Sequence, residues 1–149
     1  LGAGTMVVMG ASHAIDNPER VKEILKVALK VLFSIGIPIT LFMVFFSEYY
    51  YSSFTKDHLI ISEGGKYFIF ASLNMLFTSA IILMNFCFQG IGTPAKPIPF
   101  SLFSMIAIQG LAGIFLIQNK YNITLYYSLI SVGTTFTFLL ILRRFLKNT

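Results

Sequence analysis

Charged residues divide this chain into long uncharged runs. Four such runs cover residues 31–47, 67–95, 97–119 and 121–142, with 17, 29, 23 and 22 residues. A helix needs roughly 20 mainly apolar residues to cross the hydrocarbon core of a bilayer. Because the long side chain of Lys30 can reach back toward the headgroups, we predict membrane-spanning helices at 27–46, 67–91, 98–117 and 123–142. Residues 1–15 are apolar but too short to cross, and we expect them to be the end of a further helix.

The composition supports the same interpretation. Of the 149 residues, 56% are hydrophobic and only 11% are charged, whereas soluble domains have about 25% charged residues. A soluble bundle would need a charged face on most of its helices, and the four runs have none. We therefore predict an all-α integral membrane protein with four transmembrane helices plus the end of a fifth.

The basic residues predict the orientation. With four spans, the loops alternate between the two sides of the membrane. One side receives eight basic residues, namely Arg20, Lys22, Lys26, Lys30, Lys96, Arg143, Arg144 and Lys147, and the other receives Lys56, Lys66 and Lys120. Cytoplasmic loops are enriched in Lys and Arg, so we expect a cytoplasmic C-terminus. This asymmetry accounts for the net charge of +5 without a nucleic-acid partner.

The segment before the first span is amphipathic. Asp16 or Asn17 can cap a helix whose first turn contains Pro18, and basic residues at 22, 26 and 30 recur every four positions. We expect this segment to lie along the cytoplasmic surface before the chain enters the membrane. It is either an anchor that sets the orientation or, in addition, a contact for lipid headgroups.

Neutral polar side chains line one face of the second span. At 100° per residue, Asn74, Thr78, Asn85 and Gln89 fall within about 60° of one another. Amides facing hydrocarbon would lack hydrogen-bond partners, so this face should meet other helices or a solute. Two interpretations stay open, interhelical hydrogen bonding and the lining of a substrate cavity, and these four residues are the candidates for the cavity.

Other polar and small residues suggest packing. Thr124, Ser128, Ser131 and Thr135 form a stripe on the last span. In the third span Gln109, Gly110 and Gly113 favour close helix approach. In the first span Pro38, which follows Gly36, is expected to kink the helix.

The chain offers little for catalysis or for metal binding. All six acidic residues lie outside the predicted spans, although an intramembrane carboxylate is the usual mark of an ion relay. His13 and His58 have no companions at metal-ligand spacing, and Cys87 is typical of a small buried packing residue. We therefore expect neither an enzyme, nor a metal site, nor a resident cofactor.

A turn of unusual composition follows the second span. In "FQGIGTPAKP" (88–97), Gly90 and Gly92 can end a helix, and prolines at 94 and 97 prevent its continuation. Two further segments belong with it: "GASHAIDNPERVKEILKVALK" (10–30) and "YYYSSFTKDHLIISEGGKYFIFAS" (49–72). Together they resemble, in order, segments of the multidrug and toxic compound extrusion (MATE) transporters. The matching positions are Gly10, Asn17, Pro18, Glu19, Arg20, Phe54, Thr55, Asp57 and Tyr67.

The resemblance implies a twelve-helix protein with two six-helix lobes, of which this chain would be helices nine to twelve plus the end of helix eight, without the N-terminal lobe. Such transporters sit in the cell membrane and export cationic organic compounds, including drugs, by alternating access in exchange for Na⁺ or H⁺. Some members use a carboxylate in the tenth helix, which this chain lacks, so the coupling ion is expected to bind outside the chain. Flippases of lipid-linked oligosaccharides share the architecture and remain an alternative.

Three other classes can be compared with this chain. A small homodimeric exporter usually carries a glutamate in its first span, and the first span here has none. A membrane-embedded enzyme would need acids, histidines or a nucleophile inside the membrane. A non-transporting membrane subunit remains possible on sequence grounds.

Overall fold

The architecture is a bundle of helices. The computed structural model describes residues 1–103, 106, 110, 111, 113, 114 and 123–148. The helices are α1 (Gly2–Ala14), α2 (Pro18–Phe45), α3 (Ser47–Ser52), α4 (His58–Gly90), α5 (Ile98–Phe103) and α6 (Ile123–Asn148), and no strand occurs in this described part of the chain. Nine residues of the predicted span 98–117, among them Gln109, and the side chain of Thr124 lie outside the described residues.

Three of the described helices are long and apolar enough to cross a membrane: α2, α4 and the Leu125–Lys147 part of α6. Helix α4 has 33 residues and is therefore about 50 Å long, well beyond the roughly 30 Å of a hydrocarbon core. The prediction of an all-helical membrane protein is confirmed at this level.

Two helices begin earlier than the predicted spans. Helix α2 is continuous from Pro18 to Phe45 and passes through Pro38, so the amphipathic segment and the first span form one helix instead of two joined elements. Asn17 caps it, its Oδ1 accepting from the Arg20 N–H at 3.0 Å. Helix α4 begins at His58 because Asp57 Oδ1 accepts from the Leu59 N–H at 2.9 Å.

Helix α4 ends in a Schellman motif. The Thr93 N–H donates to the Phe88 carbonyl at 2.9 Å, and the Gly92 N–H donates to the Gln89 carbonyl at 3.1 Å. This pairing satisfies the last carbonyls of the helix and places Gly92 in the left-handed region, with φ of +70°. The expected stop of the second span therefore has a specific hydrogen-bonded form.

The end of α1 repeats this construction. The Asn17 N–H donates to the Ser12 carbonyl at 3.3 Å and the Asp16 N–H to the His13 carbonyl at 3.0 Å. Asp16 occupies the left-handed position, with φ of 51°, which aspartate tolerates better than most residues. In both turns a proline follows, at Pro18 and Pro94.

Helix α4 is the centre of the bundle and contacts α1, α2, α3 and α6. The hydrophobic core consists of Met9, Val21, Leu25, Ala28, Ala80, Leu83, Met84, Cys87, Phe88, Ile91, Phe138, Ile141 and Phe145. These positions fall near the end of α1, the start of α2, the last third of α4 and the last third of α6. Packing is therefore concentrated toward one end of the bundle.

A close helix contact in this core joins α1 to α4. A Cβ placed on Gly90 would lie 2.7 Å from the Met6 carbonyl oxygen and 3.1 Å from the Met9 Cβ. From the other side, a Cβ on Gly10 would lie 3.2 Å from the Gly90 carbonyl oxygen. The two backbones approach so closely because neither glycine carries a side chain.

The two ends of the bundle differ in chemistry. At the basic end, where α1, α4 and α6 finish, the Arg144 guanidinium lies 5.1 Å from the centroid of the Phe100 ring. At the aromatic end, the Tyr50 ring stacks on Phe68 at 5.1 Å and the Tyr67 ring meets Tyr127 at 4.5 Å. Such rings are common where a helix leaves the hydrocarbon region.

Candidate functional site

A cavity of about 320 Å³ lies beside the end of α4, at the basic end of the bundle. It is lined by Asn85 and Gln89 of α4, Pro94 and Pro97 of the following turn, and Ile98, Ser101 and Leu102 around α5. The Schellman turn folds the chain back, so α5 faces the last two turns of α4. The cavity is therefore formed by the chain reversal at Gly92.

Unsatisfied polar atoms cluster around this cavity. Within the described residues, three buried side-chain oxygens have no hydrogen-bond partner: Asn85 Oδ1, Thr93 Oγ1 and Ser101 Oγ. Buried polar groups are nearly always hydrogen-bonded, so each exception calls for an explanation. All three fall between residues 85 and 101, and two belong to residues that line the cavity.

The chemistry of the lining is polar but uncharged. No Asp, Glu, Lys or Arg occurs among the described lining residues. Asn85 Oδ1 accepts hydrogen bonds, whereas the Gln89 amide and the Ser101 hydroxyl can both donate and accept. Such a lining suits a solute that donates hydrogen bonds, for example an ammonium group or water, since its buried acceptors lack donors.

Asn74 differs from Asn85 in its surroundings, because it has a hydrogen-bond partner on α6. The Thr134 hydroxyl of α6 lies 2.7 Å from Asn74 Oδ1 and donates to it. One turn earlier on α6, the Ser131 hydroxyl lies 3.1 Å from the Phe70 carbonyl and 2.9 Å from the Tyr127 carbonyl, and its one proton is shared between these acceptors. This part of α4 is joined to α6 by interhelical hydrogen bonds, which in membranes are worth about 0.6 kcal/mol each on average.

The predicted polar face therefore divides into parts with different surroundings. Asn85 and Gln89 meet at the cavity, Asn74 binds α6, and Thr78 is exposed without lining the cavity. Asn74 and Gln89 share a face but lie 15 residues apart, or about 22 Å along the helix axis. The structure brings the last two candidates together and leaves the first two elsewhere.

The sequence pattern did not single out Ser101 or Thr134. Ser101 comes to the cavity through the geometry of the turn, which sequence spacing does not specify. Thr134 carried a signal, because it lies three residues after Ser131 and therefore on the same face of α6. The stripe predicted on this span included Thr135 and not Thr134.

Metal-binding geometry is not found at this site. Among residues 1–103 and the other described positions, no group of three or more His, Cys, Asp or Glu side chains could hold a metal ion. Cys87 is fully buried in the core.

Comparison with known protein families identifies the chain. The model of the MatE family matches residues 1–110, which is most of the 149 residues. The chain belongs to the MATE family. Searches with this chain found no match among curated proteins and none among solved structures.

MATE membership confirms the resemblance drawn from the three sequence segments, all of which lie inside the matched region. MATE proteins are membrane transporters, which agrees with the three apolar helices of the structure. The matched region also contains the end of α4, the Schellman turn and all the lining residues of the cavity. The cavity is thus part of the MATE domain itself.

Proposed function

We propose that this chain is the C-terminal part of a twelve-helix antiporter that exports cationic organic compounds or drugs across the cell membrane. Export would proceed by alternating access in exchange for Na⁺ or H⁺, with the coupling ion bound outside this chain. The N-terminal lobe of the same protein would be its partner. The family match supports transport, the resemblance to MATE transporters implies the class of solute, and the cavity offers acceptors for a solute that donates hydrogen bonds.

One observation carries this proposal: Asn85 Oδ1 is buried in a polar cavity and has no donor. An unsatisfied buried acceptor destabilises a protein by about 1–3 kcal/mol. Buried polar atoms without a protein partner are explained by strain, by an ordered water or by a functional role, and for Asn85 we infer the last. A solute with an N–H or ammonium donor would supply the missing hydrogen bond, with Gln89 one turn away as a second contact.

The experiment measures ethidium efflux by the full-length protein in cells that lack their own exporters, with and without an imposed Na⁺ or H⁺ gradient. Asn85→Leu removes the acceptor while keeping a similar volume. Hydrogen bonds to charged groups are worth about 1.5–3 kcal/mol, so we expect efflux to fall roughly 10- to 100-fold. Gln89→Leu should reduce efflux in the same direction.

A stability measurement separates a functional role from a structural one. If Asn85 serves the solute, Asn85→Leu should leave the thermal midpoint unchanged or raise it, because the unsatisfied acceptor has gone. Thr78→Val is the matched control, since it removes a polar group from the same helix outside the cavity, and efflux should stay within about twofold. Loss of stability with Asn85→Leu would show that the amide supports the fold and would contradict the proposal.

The flippase of lipid-linked oligosaccharides is the second candidate with the same architecture. It predicts no gradient-dependent efflux of any cationic dye, despite normal membrane insertion of the protein. Gradient-dependent efflux that depends on Asn85 would favour the antiporter.

A further inference from the structure

A second cavity, of about 490 Å³, runs between α1 and α2. Its walls are formed by Gly4, Thr5 and Val8 of α1 and by Ile24, Val27 and Val31 of α2. Arg20 and Glu23 line its mouth at the basic end of the bundle. We call this cavity the α1–α2 groove. It shares no lining residue with the cavity at Asn85.

The walls of the groove suit an apolar occupant. The α2 lining residues recur at spacings of three and four, so they form one continuous face of the helix. Val8, Val27 and Val31 are 48%, 55% and 38% exposed, which means that the groove holds uncovered hydrocarbon surface. The only polar side chain in the apolar part, Thr5, is satisfied because its hydroxyl donates to the Leu1 carbonyl at 3.0 Å.

The groove runs from the headgroup region into the hydrocarbon core. Arg20 and Val31 are eleven residues apart, which is about 16 Å along an α-helix. Since the predicted span begins at Val27, Arg20 lies about 10 Å outside the hydrocarbon core and Val31 about 6 Å inside it. A lipid with its headgroup near Arg20 can therefore place an acyl chain against Val27 and Val31.

The mouth of the groove carries one charge of each sign. Arg20 and Glu23 lie three residues apart on one face of α2, and both are exposed. Lys22, Lys26 and Lys30 do not line the groove, so Arg20 and Glu23 are the charged side chains of its lining. An anion alone would meet the Glu23 carboxylate, whereas a zwitterion offers a partner to each charge.

We propose that the α1–α2 groove binds a phosphatidylethanolamine molecule of the adjacent leaflet. The phosphate contacts the Arg20 guanidinium, the primary ammonium contacts the Glu23 carboxylate, and one acyl chain fills the apolar part. Guanidinium–phosphate and ammonium–carboxylate hydrogen bonds are among the stronger ones in proteins. This site does not depend on which solute the protein transports.

The test uses the full-length protein in detergent and measures its thermal midpoint with added dioleoylphosphatidylethanolamine or dioleoylphosphatidylcholine. The two lipids share the phosphate and the acyl chains, but the trimethylated amine of the second has no N–H to donate. We expect the ethanolamine lipid to raise the midpoint at lower concentration. In Glu23→Gln this advantage should shrink by about tenfold in apparent affinity, as expected for one charge-assisted hydrogen bond.

Two variants test the phosphate contact and the apolar groove. Arg20→Gln should weaken both lipids, whereas Arg143→Gln, which removes an exposed charge elsewhere at the basic end, should leave the response intact. Gly4→Leu should occupy the groove and weaken both lipids, since a Cβ on Gly4 meets no atom within 4 Å. Equal responses to the two lipids in the unaltered protein would overturn the proposal. A full response in Glu23→Gln would also overturn it. Glu23 is exposed, so this variant should fold even if Gly4→Leu does not.

Discussion

Replacement of Gly90 by alanine tests how closely α1 and α4 must approach. The added Cβ would lie 2.7 Å from the Met6 carbonyl oxygen, 3.1 Å from the Met9 Cβ and 3.3 Å from the Met6 Cα. Ordinary van der Waals contact begins at 3.4 Å, so the first distance must grow by about 0.7 Å. Because the contacting atoms belong to the α1 backbone, a side-chain rotation cannot relieve the overlap.

The expected cost combines two terms of opposite sign. Forced separation of packed elements typically costs about 1–3 kcal/mol, and neighbouring contacts lose a quarter to a half of their dispersion energy over a gap of this size. Removal of a glycine from a helix returns about 0.5–1 kcal/mol. We therefore expect Gly90→Ala to lower the free energy of unfolding by about 1–2 kcal/mol.

The matched control is Gly4→Ala on the partner helix. A Cβ on Gly4 has no neighbour within 4 Å, so this variant should be neutral or up to about 1 kcal/mol more stable. Reversible SDS unfolding of the full-length protein in mixed micelles gives both free energies. If Gly90→Ala were as stable as Gly4→Ala, the close crossing of α1 and α4 would not contribute to stability, and our account of the core would be wrong.

Three further predictions concern single residues. Thr134→Val should cost about 0.6 kcal/mol in the same unfolding assay, as expected for one interhelical hydrogen bond, and the loss should nearly vanish when Asn74 is already leucine. Gly92→Ala should lower the free energy of unfolding by about 1–2 kcal/mol because φ at this position is +70°. Gly92→Asn should lower it less, because asparagine tolerates this φ better. Equal effects of the two variants would argue against a conformational cause. Cys87 is 0% exposed, so a maleimide should not label it in the folded protein. The control is Ser53→Cys in a Cys87→Ser background, which should react readily. Rapid labelling of Cys87 would show that this part of the core opens.

The membrane character of the chain could be predicted from sequence because it depends on composition along single segments. An uncharged run of about 20 residues predicts a transmembrane helix because, in lipid, the backbone N–H and C=O groups must hydrogen-bond within the protein. The stop after α4 was also predictable, since Gly92 and Pro94 act locally. The early start of α4 at His58 was missed because the charges at Glu63 and Lys66 were taken as the edge of the span, whereas these two side chains pair at 2.7 Å on the helix surface.

The composition of the cavity could be predicted only in part. Helical periodicity places Asn74, Asn85 and Gln89 on one face, but it does not say which neighbour each level of α4 meets. At the level of Asn74 that neighbour is α6, and at the level of Asn85 it is the returning turn. Ser101 reaches the same place through a chain reversal, which depends on backbone angles that residue spacing does not reveal.

The glycine crossing of α1 and α4 also constrains the order of events during synthesis. Gly10 and Gly90 are 80 positions apart in the chain. At a translation rate of about 5–20 residues per second, roughly 4–16 s pass between them. During that interval the crossing face of α1 has no α4 to pack against. A substitution that weakens the crossing would therefore lower the yield of folded protein as well as its stability.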